Sequence, residues 1–190
     1  MQARIFRSQS ERAEFLLNLK LTQCPHCKKV GTLNRHGSLR GYDENNLRHK
    51  TNRARRVFCN NRNHAAGCGR TFSVWIADKV KRLFLSAEQL WDFLNAAASG
   101  NKRQAFAKLN SSMSESAPYR IWKRSQKAQS AIRIELATLC RPPKRDGKQT
   151  ATTLTDDPTG STLDHLMEAF GDHAMNPIVA FQLMLQTFFI

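Results

Sequence analysis

Four of the five cysteines in this chain fall in two close pairs, and that arrangement limits the possible folds more than any other feature. The first pair is Cys24-Pro25-His26-Cys27; the second, Cys59 and Cys68, lies in the stretch VFCNNRNHAAGCGRTFSV. Two Cys pairs, each beside a tight-turning or glycine-containing segment, are what a tetrahedral zinc site asks of a sequence. Gly67 and Gly69 bracket Cys68 and allow the positive φ that such a turn requires. The second pair is unusually wide, C-x8-C where C-x2-C is the common spacing. Two ligand sets are compatible with it. In the favoured one the segment 60–67 bulges out and Cys24, Cys27, Cys59 and Cys68 all bind; in the other His64 replaces a cysteine. No Asp or Glu lies within either knuckle, so the expectation is one structural Zn2+ rather than a catalytic centre with an open position.

C-P-H-C is also the active-site motif of strongly oxidising thiol-disulfide oxidoreductases, in which a helix N-terminus activates the first thiol. That chemistry needs a buried strand before the motif and a long helix after it. Here Lys28-Lys29-Val30-Gly31-Thr32 follows, and Gly31 and Gly37 interrupt any helix, so this is the last-ranked alternative. Cys140, just before Arg141-Pro142-Pro143, reads as an ordinary helix residue.

Charge narrows the choice of partner. The formal net charge is +15, a self-repulsion that an anionic polymer relieves. Residues 1–70 carry 15 Lys/Arg against 4 Asp/Glu, 71–145 carry 14 against 5, and 146–190 carry 1 against 6, so the positive charge is concentrated ahead of an acidic tail. That asymmetry favours nucleic acid over a generic basic surface; double-stranded DNA is the partner expected from the motifs below. Residues 1–20 show no apolar secretory core, and no run approaches the ~18 apolar residues of a membrane span. The expectation is a cytoplasmic, nucleoid-associated protein with reduced, metal-binding thiols and no membrane partner.

Taken in order, Ser8-Gln9-Ser10-Glu11 fits a capping box and predicts a helix over 9–20 with Phe15, Leu16 and Leu19 as its apolar stripe. Residues 31–35 and 38–42 read as two short strands joined at His36-Gly37. After a polar turn at 43–46 comes a cationic arm, 47–58. Alternation along a strand puts Arg53 and Arg55 on one face. Lys28, Arg53, Arg55, Arg56, Arg62 and Arg70 are the candidate phosphate contacts of this half, weighed against a merely solvated charged face.

C-P-x-C, a basic stretch and then C-G-R-T-F-S resembles the N-terminal zinc ribbon of many bacterial insertion-sequence transposases and their small accessory proteins. The resemblance spans roughly residues 21–130 and is specific only in the ribbon half. It implies a following helix-turn-helix, with both parts binding the terminal repeats of a mobile element. The sequence offers suitable helices: 87–98 capped by Ser86 and stopped at Gly100, then 102–109, a turn at 110–114, and a third opening at Ser116-Ala117-Pro118. The third helix carries Tyr119, Arg120, Lys123, Arg124 and Lys127, the candidates for major-groove contact. Its pattern continues through Ile132, Leu136 and Leu139. A plain three-helix bundle with a solvated basic face is the competing reading.

Residues 141–160 lack periodicity and read as a flexible linker. Two short helices follow, 162–170 capped by Ser161 and 178–189 opened by Asn176-Pro177. The last has no charged side chain and is too short to cross a bilayer. It is expected either to pack on the N-terminal domain or to form a homodimer or protein-partner interface through 177–190. The expected organisation is α+β: an N-terminal helix (1–20), a zinc ribbon (21–80), a helix-turn-helix domain (81–140), a linker (141–160) and a C-terminal helical segment (161–190).

Acidic residues between the first helix and the linker are few and mostly isolated, and too few residues follow the linker for the sheet of a metal-dependent nuclease. The only tyrosines are Tyr42 and Tyr119, and no recombinase constellation is present. The expectation is a non-catalytic DNA-binding protein that recognises the ends of a mobile element beside a separately encoded transposase. A zinc-ribbon transcription regulator is the alternative.

Overall fold

The helical and extended segments follow the caps, glycines and apolar spacing closely, with informative departures. The computed structural model describes residues 3–43, 46, 48–110, 114–143 and 158–190. Among these are four strands in one sheet and six α-helices, an α+β protein that divides into two units, 1–84 and 85–190.

In the N-terminal unit the sheet order is β1-β4-β3-β2, with β1 Ala3–Phe6, β2 Leu33–Tyr42, β3 Lys50–Cys59 and β4 Thr71–Ile76. β2, β3 and β4 form an antiparallel meander, and β1 joins the far edge parallel to β4. The sequence reading missed β1: four residues with no turn signal pair with a strand some 70 positions away. The two strands expected over 31–42 are one strand. His36-Gly37 forms a bulge, where pairing jumps from Arg35↔Val57 to Ser38↔Arg55 and Gly37 takes φ +88°. A glycine at positive φ fits a bulge as well as a hairpin turn, and only the partner strand decides which forms.

Helix α1 (Gln9–Leu17) begins as its cap predicts: Ser8 Oγ accepts from the Glu11 amide, while the Arg7 amide donates to Glu11 Oε2 at 2.9 Å. It ends at Leu17 rather than Lys20, and a turn of 3-10 helix, Leu19–Leu21, follows. Phe15 and Leu16 pack with Phe6 onto a core of Leu19, Leu33, Val57, Phe72 and Val74 that also contains Cys24 and Cys59.

In the C-terminal unit α2 (Ala87–Ala98) has a complete capping box between Ser86 and Gln89 and buries Leu90, Phe93, Leu94 and Ala97. α3 is Lys102–Asn110, and α4 is a single 21-residue helix, Ala117–Ala137, so the basic segment and the Ile132–Leu136 pattern are continuous. Ser116 makes no side-chain cap; its backbone is already helical, and Pro118 occupies the first turn. The turn expected at 110–114 falls mostly outside the described residues. So does most of the expected linker, but its end does not: α5 starts at Pro158 rather than 162, with Thr159 and Gly160 buried. α6 is Pro177–Leu185, capped by Asn176 and stopped by Gln186 at φ +50°.

Helix α2 packs against α3, α5 and α6, and α4 against α3 and α5. Ile178, Ala180 and Phe181 of the uncharged last helix are buried, with Phe189 edge-on to Phe181 at 5.6 Å. Its apolar face is thus taken up by α2 and α5 of its own unit. Among the described residues, no helix is long and apolar enough to cross a membrane.

Candidate metal centre

The first cysteine pair lies in the loop that leads from the 3-10 turn to β2 and the second runs from the last residue of β3 toward β4, and the two loops close with the same hydrogen bonds. In the first, the Cys24 amide donates to Lys29 O (2.9 Å) and the Lys28 amide to Cys24 O (2.9 Å). In the second, the Cys59 amide donates to Arg70 O (2.9 Å) and the Gly69 amide to Cys59 O (3.0 Å). Lys28 and Gly69, each directly after the second cysteine of its pair, take φ +62° and +72°. Cys24 therefore corresponds to Cys59, Cys27 to Cys68 and Lys28 to Gly69.

The extra residues of the second loop are set aside by one bond. The Gly67 amide donates to Asn60 O at 2.9 Å, pinching 61–66 into a side loop and leaving Asn60 and Gly67 where Pro25 and His26 stand in the first knuckle. Asn60 is anchored in turn by its own amide to Thr32 O at 2.8 Å. The pinch needs glycine at 67, because a Cβ there would lie 2.0 Å from Asn60 O. The irregular C-x8-C pair is a short knuckle carrying an insertion.

The four sulfurs converge. All lie within 4.8 Å of one another, with Cys24 Sγ 3.8 Å from Cys68 Sγ and Cys27 Sγ 3.7 Å from Cys59 Sγ. These separations are far beyond a disulfide bond of ~2.05 Å, and all four cysteines are free. Such a group can hold a metal ion. His64 is exposed on the side loop, at φ +62°, and is not part of the group.

The surroundings tune the thiols in opposite directions. Burial pushes Cys24 up to about 11, although the amides of Cys27 and His26 donate to it. Burial acts on Cys59 in the same sense, but the Thr32 hydroxyl (3.2 Å), the Cys68 amide (3.2 Å) and the neighbouring thiols outweigh it, bringing Cys59 down to about 7. Thr32 carries no sequence signal for this role; only the pairing of β2 and β3 brings it beside Cys59.

The basic candidates fall into separate groups. Lys28, Arg62 and Arg70 are exposed on or beside the knuckles, with Arg62 5.6 Å over the Phe58 ring. Arg55 and Arg56 are half-buried. Arg53 does not share their exposure: it is buried, and its Nη1 donates to Tyr42 O (3.2 Å) and Phe84 O (2.9 Å). It lies across Gly41, where a Cβ would come within 2.6 Å of Arg53 Cδ. Simple alternation put Arg53 on one face with Arg55 as a candidate phosphate contact, but the register shift between Leu39 and Arg40 turns the ladder there.

On α4, Tyr119, Arg120, Lys123 and Lys127 are exposed and Arg124 is half-buried, opposite the buried Ile121, Trp122 and Ser125. Aromatic contacts bind α3 to α4: Phe106 meets Tyr119 edge-on at 4.7 Å, and Lys102 lies 4.9 Å over the Trp122 ring.

No family model, curated protein or solved structure matches this chain.

Proposed function

We propose that this chain is a non-catalytic double-stranded-DNA-binding protein whose N-terminal unit is a zinc ribbon held by one structural Zn2+. The four-sulfur group carries the proposal. A tetrahedron of ~2.3 Å zinc–thiolate bonds has edges of ~3.8 Å, against 3.7 and 3.8 Å for the two separations given above. Four thiolates leave no open position for a catalytic water. Because Cys24 and Cys59 belong to the hydrophobic core, an ion bound there acts on the fold of the whole unit.

DNA is favoured as partner by the net charge of +15 and by exposed cations on the knuckles and on one face of α4. Short α3 followed by the basic α4 is consistent with a helix-turn-helix that presents Tyr119, Arg120 and Lys123 to the major groove. A thiol-disulfide exchange role is disfavoured: an attacking thiol needs a lowered pKa and access, whereas Cys24 is fully buried and raised to about 11. The motif resemblance extends the reading to the ends of a mobile element, with a separately encoded transposase as partner.

The test is binding of the purified, zinc-loaded chain to duplex DNA across a salt series. With about six phosphate contacts, affinity falls roughly a thousandfold between 50 and 200 mM salt; a flat response contradicts the proposal. A footprint on the neighbouring locus then separates element ends from a promoter.

A further inference from the structure

A second basic feature, built from other residues than the four cysteines, belongs to the N-terminal unit. Helix α1 and strands β2 and β3 enclose a cleft of about 470 Å³, and four of its nine lining residues are arginines: Arg12, Arg35, Arg55 and Arg56. No acid lines it. The acids of α1, Glu11 and Glu14, line a different cleft with Phe6 and Phe15.

Arg12 is the unusual member. It is 5% exposed, and its Nη1 is buried without a hydrogen-bond partner. Its Nη2 donates to the neutral Gln9 Oε1, which leaves the charge uncompensated by that bond. Arg56 Nε is likewise buried without a partner. Burial and the nearby Arg55 charge both lower the Arg12 pKa, with Asp78 opposing them; the guanidinium is held where positive charge is costly. Asp78 acts on this cation through its charge, yet no described group accepts a hydrogen bond from Arg12 Nη1, and a buried donor left unused beside further guanidinium groups suits an oxyanion. Ala13, Leu16 and Leu17 of α1 also line the cleft and offer an apolar surface.

We propose that this cleft is a phosphoryl-group site, with Arg12 at its floor and Arg55 and Arg56 at its sides. The organic part of the ligand rests against Leu16 and Leu17. Planar guanidinium groups with several N–H donors match phosphate oxygens in pairs, which a surface scatter of lysines does not. The phosphoryl group has two sources within the nucleic-acid class: a phosphate of a DNA strand, or a free nucleotide. The inference deepens the DNA-binding reading and rests on it only for the first source.

The experiment is calorimetric titration of the full chain with deoxynucleoside 5′-monophosphate and, separately, with duplex DNA. Wild type is compared with Arg12→Met, Arg56→Gln and, as a control outside the cleft, Arg40→Gln. Loss of a charge-assisted bond corresponds to roughly tenfold or more in affinity. The proposal expects saturable binding of at least one probe, weakened by that factor in both cleft variants and unchanged in the control. Loss for the monophosphate identifies a free-nucleotide site, and loss for the duplex alone a strand-phosphate site. If Arg12→Met fails to fold, Arg56→Gln decides. Unchanged binding in the folded cleft variants, or no binding of either probe, overturns the proposal. Duplex binding that survives the cleft variants but is lost in Lys123→Gln, with monophosphate binding absent or equally unchanged, leaves the DNA reading standing and removes this one. Monophosphate binding without duplex binding does the reverse.

Discussion

Two residue positions decide whether the second knuckle can close. Gly67 meets Asn60 O across a gap that admits no side chain, and the three atoms at risk of collision, Asn60 O, C and N, all belong to the backbone, so none can swing away. Gly67→Ala is expected to destabilise the N-terminal unit by about 2 kcal/mol or more and to lower metal content, read by denaturant melts and metal stoichiometry. An unchanged melt means the Asn60–Gly67 bond is dispensable. The thiols make a second prediction. Metal binds thiolate, so Cys24, raised to about 11, must give up a proton on binding, while Cys59, at about 7, is partly ionised at neutral pH. Metal affinity is therefore expected to rise with pH and to fall on acidification through about 7, followed with a chromogenic chelator. Without metal the sign for Cys24 reverses: its raised value favours the neutral thiol in the fold, a contribution present below the ordinary value of 9.0 and lost as pH rises toward 11.

At the scale of elements, the side loop 61–66 is the feature most open to test. Its ends are already joined through Gly67 to Asn60, and Asn60 is tied to Thr32 of the first knuckle's return. Deleting 61–66 leaves Cys-Asn-Gly-Cys, a knuckle with the spacing of the first pair. The shortened chain is expected to keep its metal stoichiometry and to melt within about 1 kcal/mol of wild type, since closing a loop of different length is a small entropic term. Loss of the metal would show that the loop supports the site. Because the loop carries Arg62, the same deletion reports whether that cation contributes to DNA affinity. Helices were the more legible elements. The spacing of Leu90, Phe93, Leu94 and Ala97 and the caps around them placed α2 to the residue, because helical bonds and caps are local. Strand β1 and the bulge in β2 were not legible, because their partners are distant in sequence.

For the molecule as a whole, the two units differ in what stabilises them. The N-terminal unit has two of the clustered cysteines inside its core, whereas the C-terminal unit buries Leu, Ile and Phe side chains from five helices with no such group. Structural zinc in small domains contributes on the order of 10 kcal/mol or more in apparent terms. Chelation is accordingly expected to unfold the sheet while leaving most helical signal, giving two separated transitions by circular dichroism. A single transition unchanged by chelator would show that the sheet stands without metal.

By itself the sequence determined which four cysteines come together, the α2–α4 helices and the chain's own excess of positive charge. Each depends on residue type and short spacing: paired cysteines, caps with their apolar repeat, and a count of cations. Tertiary structure alone decided the rest. The wide Cys59–Cys68 gap closes because Gly67 meets Asn60, Arg53 goes inside because the β2–β3 register shifts, and Arg12 lines one cleft with Arg55 and Arg56 because α1 packs on the sheet, against β4 and β1. These are contacts between residues far apart in the chain, or choices between turns that a glycine permits equally. Local propensity is silent on both, and burial with hydrogen-bond satisfaction settles them.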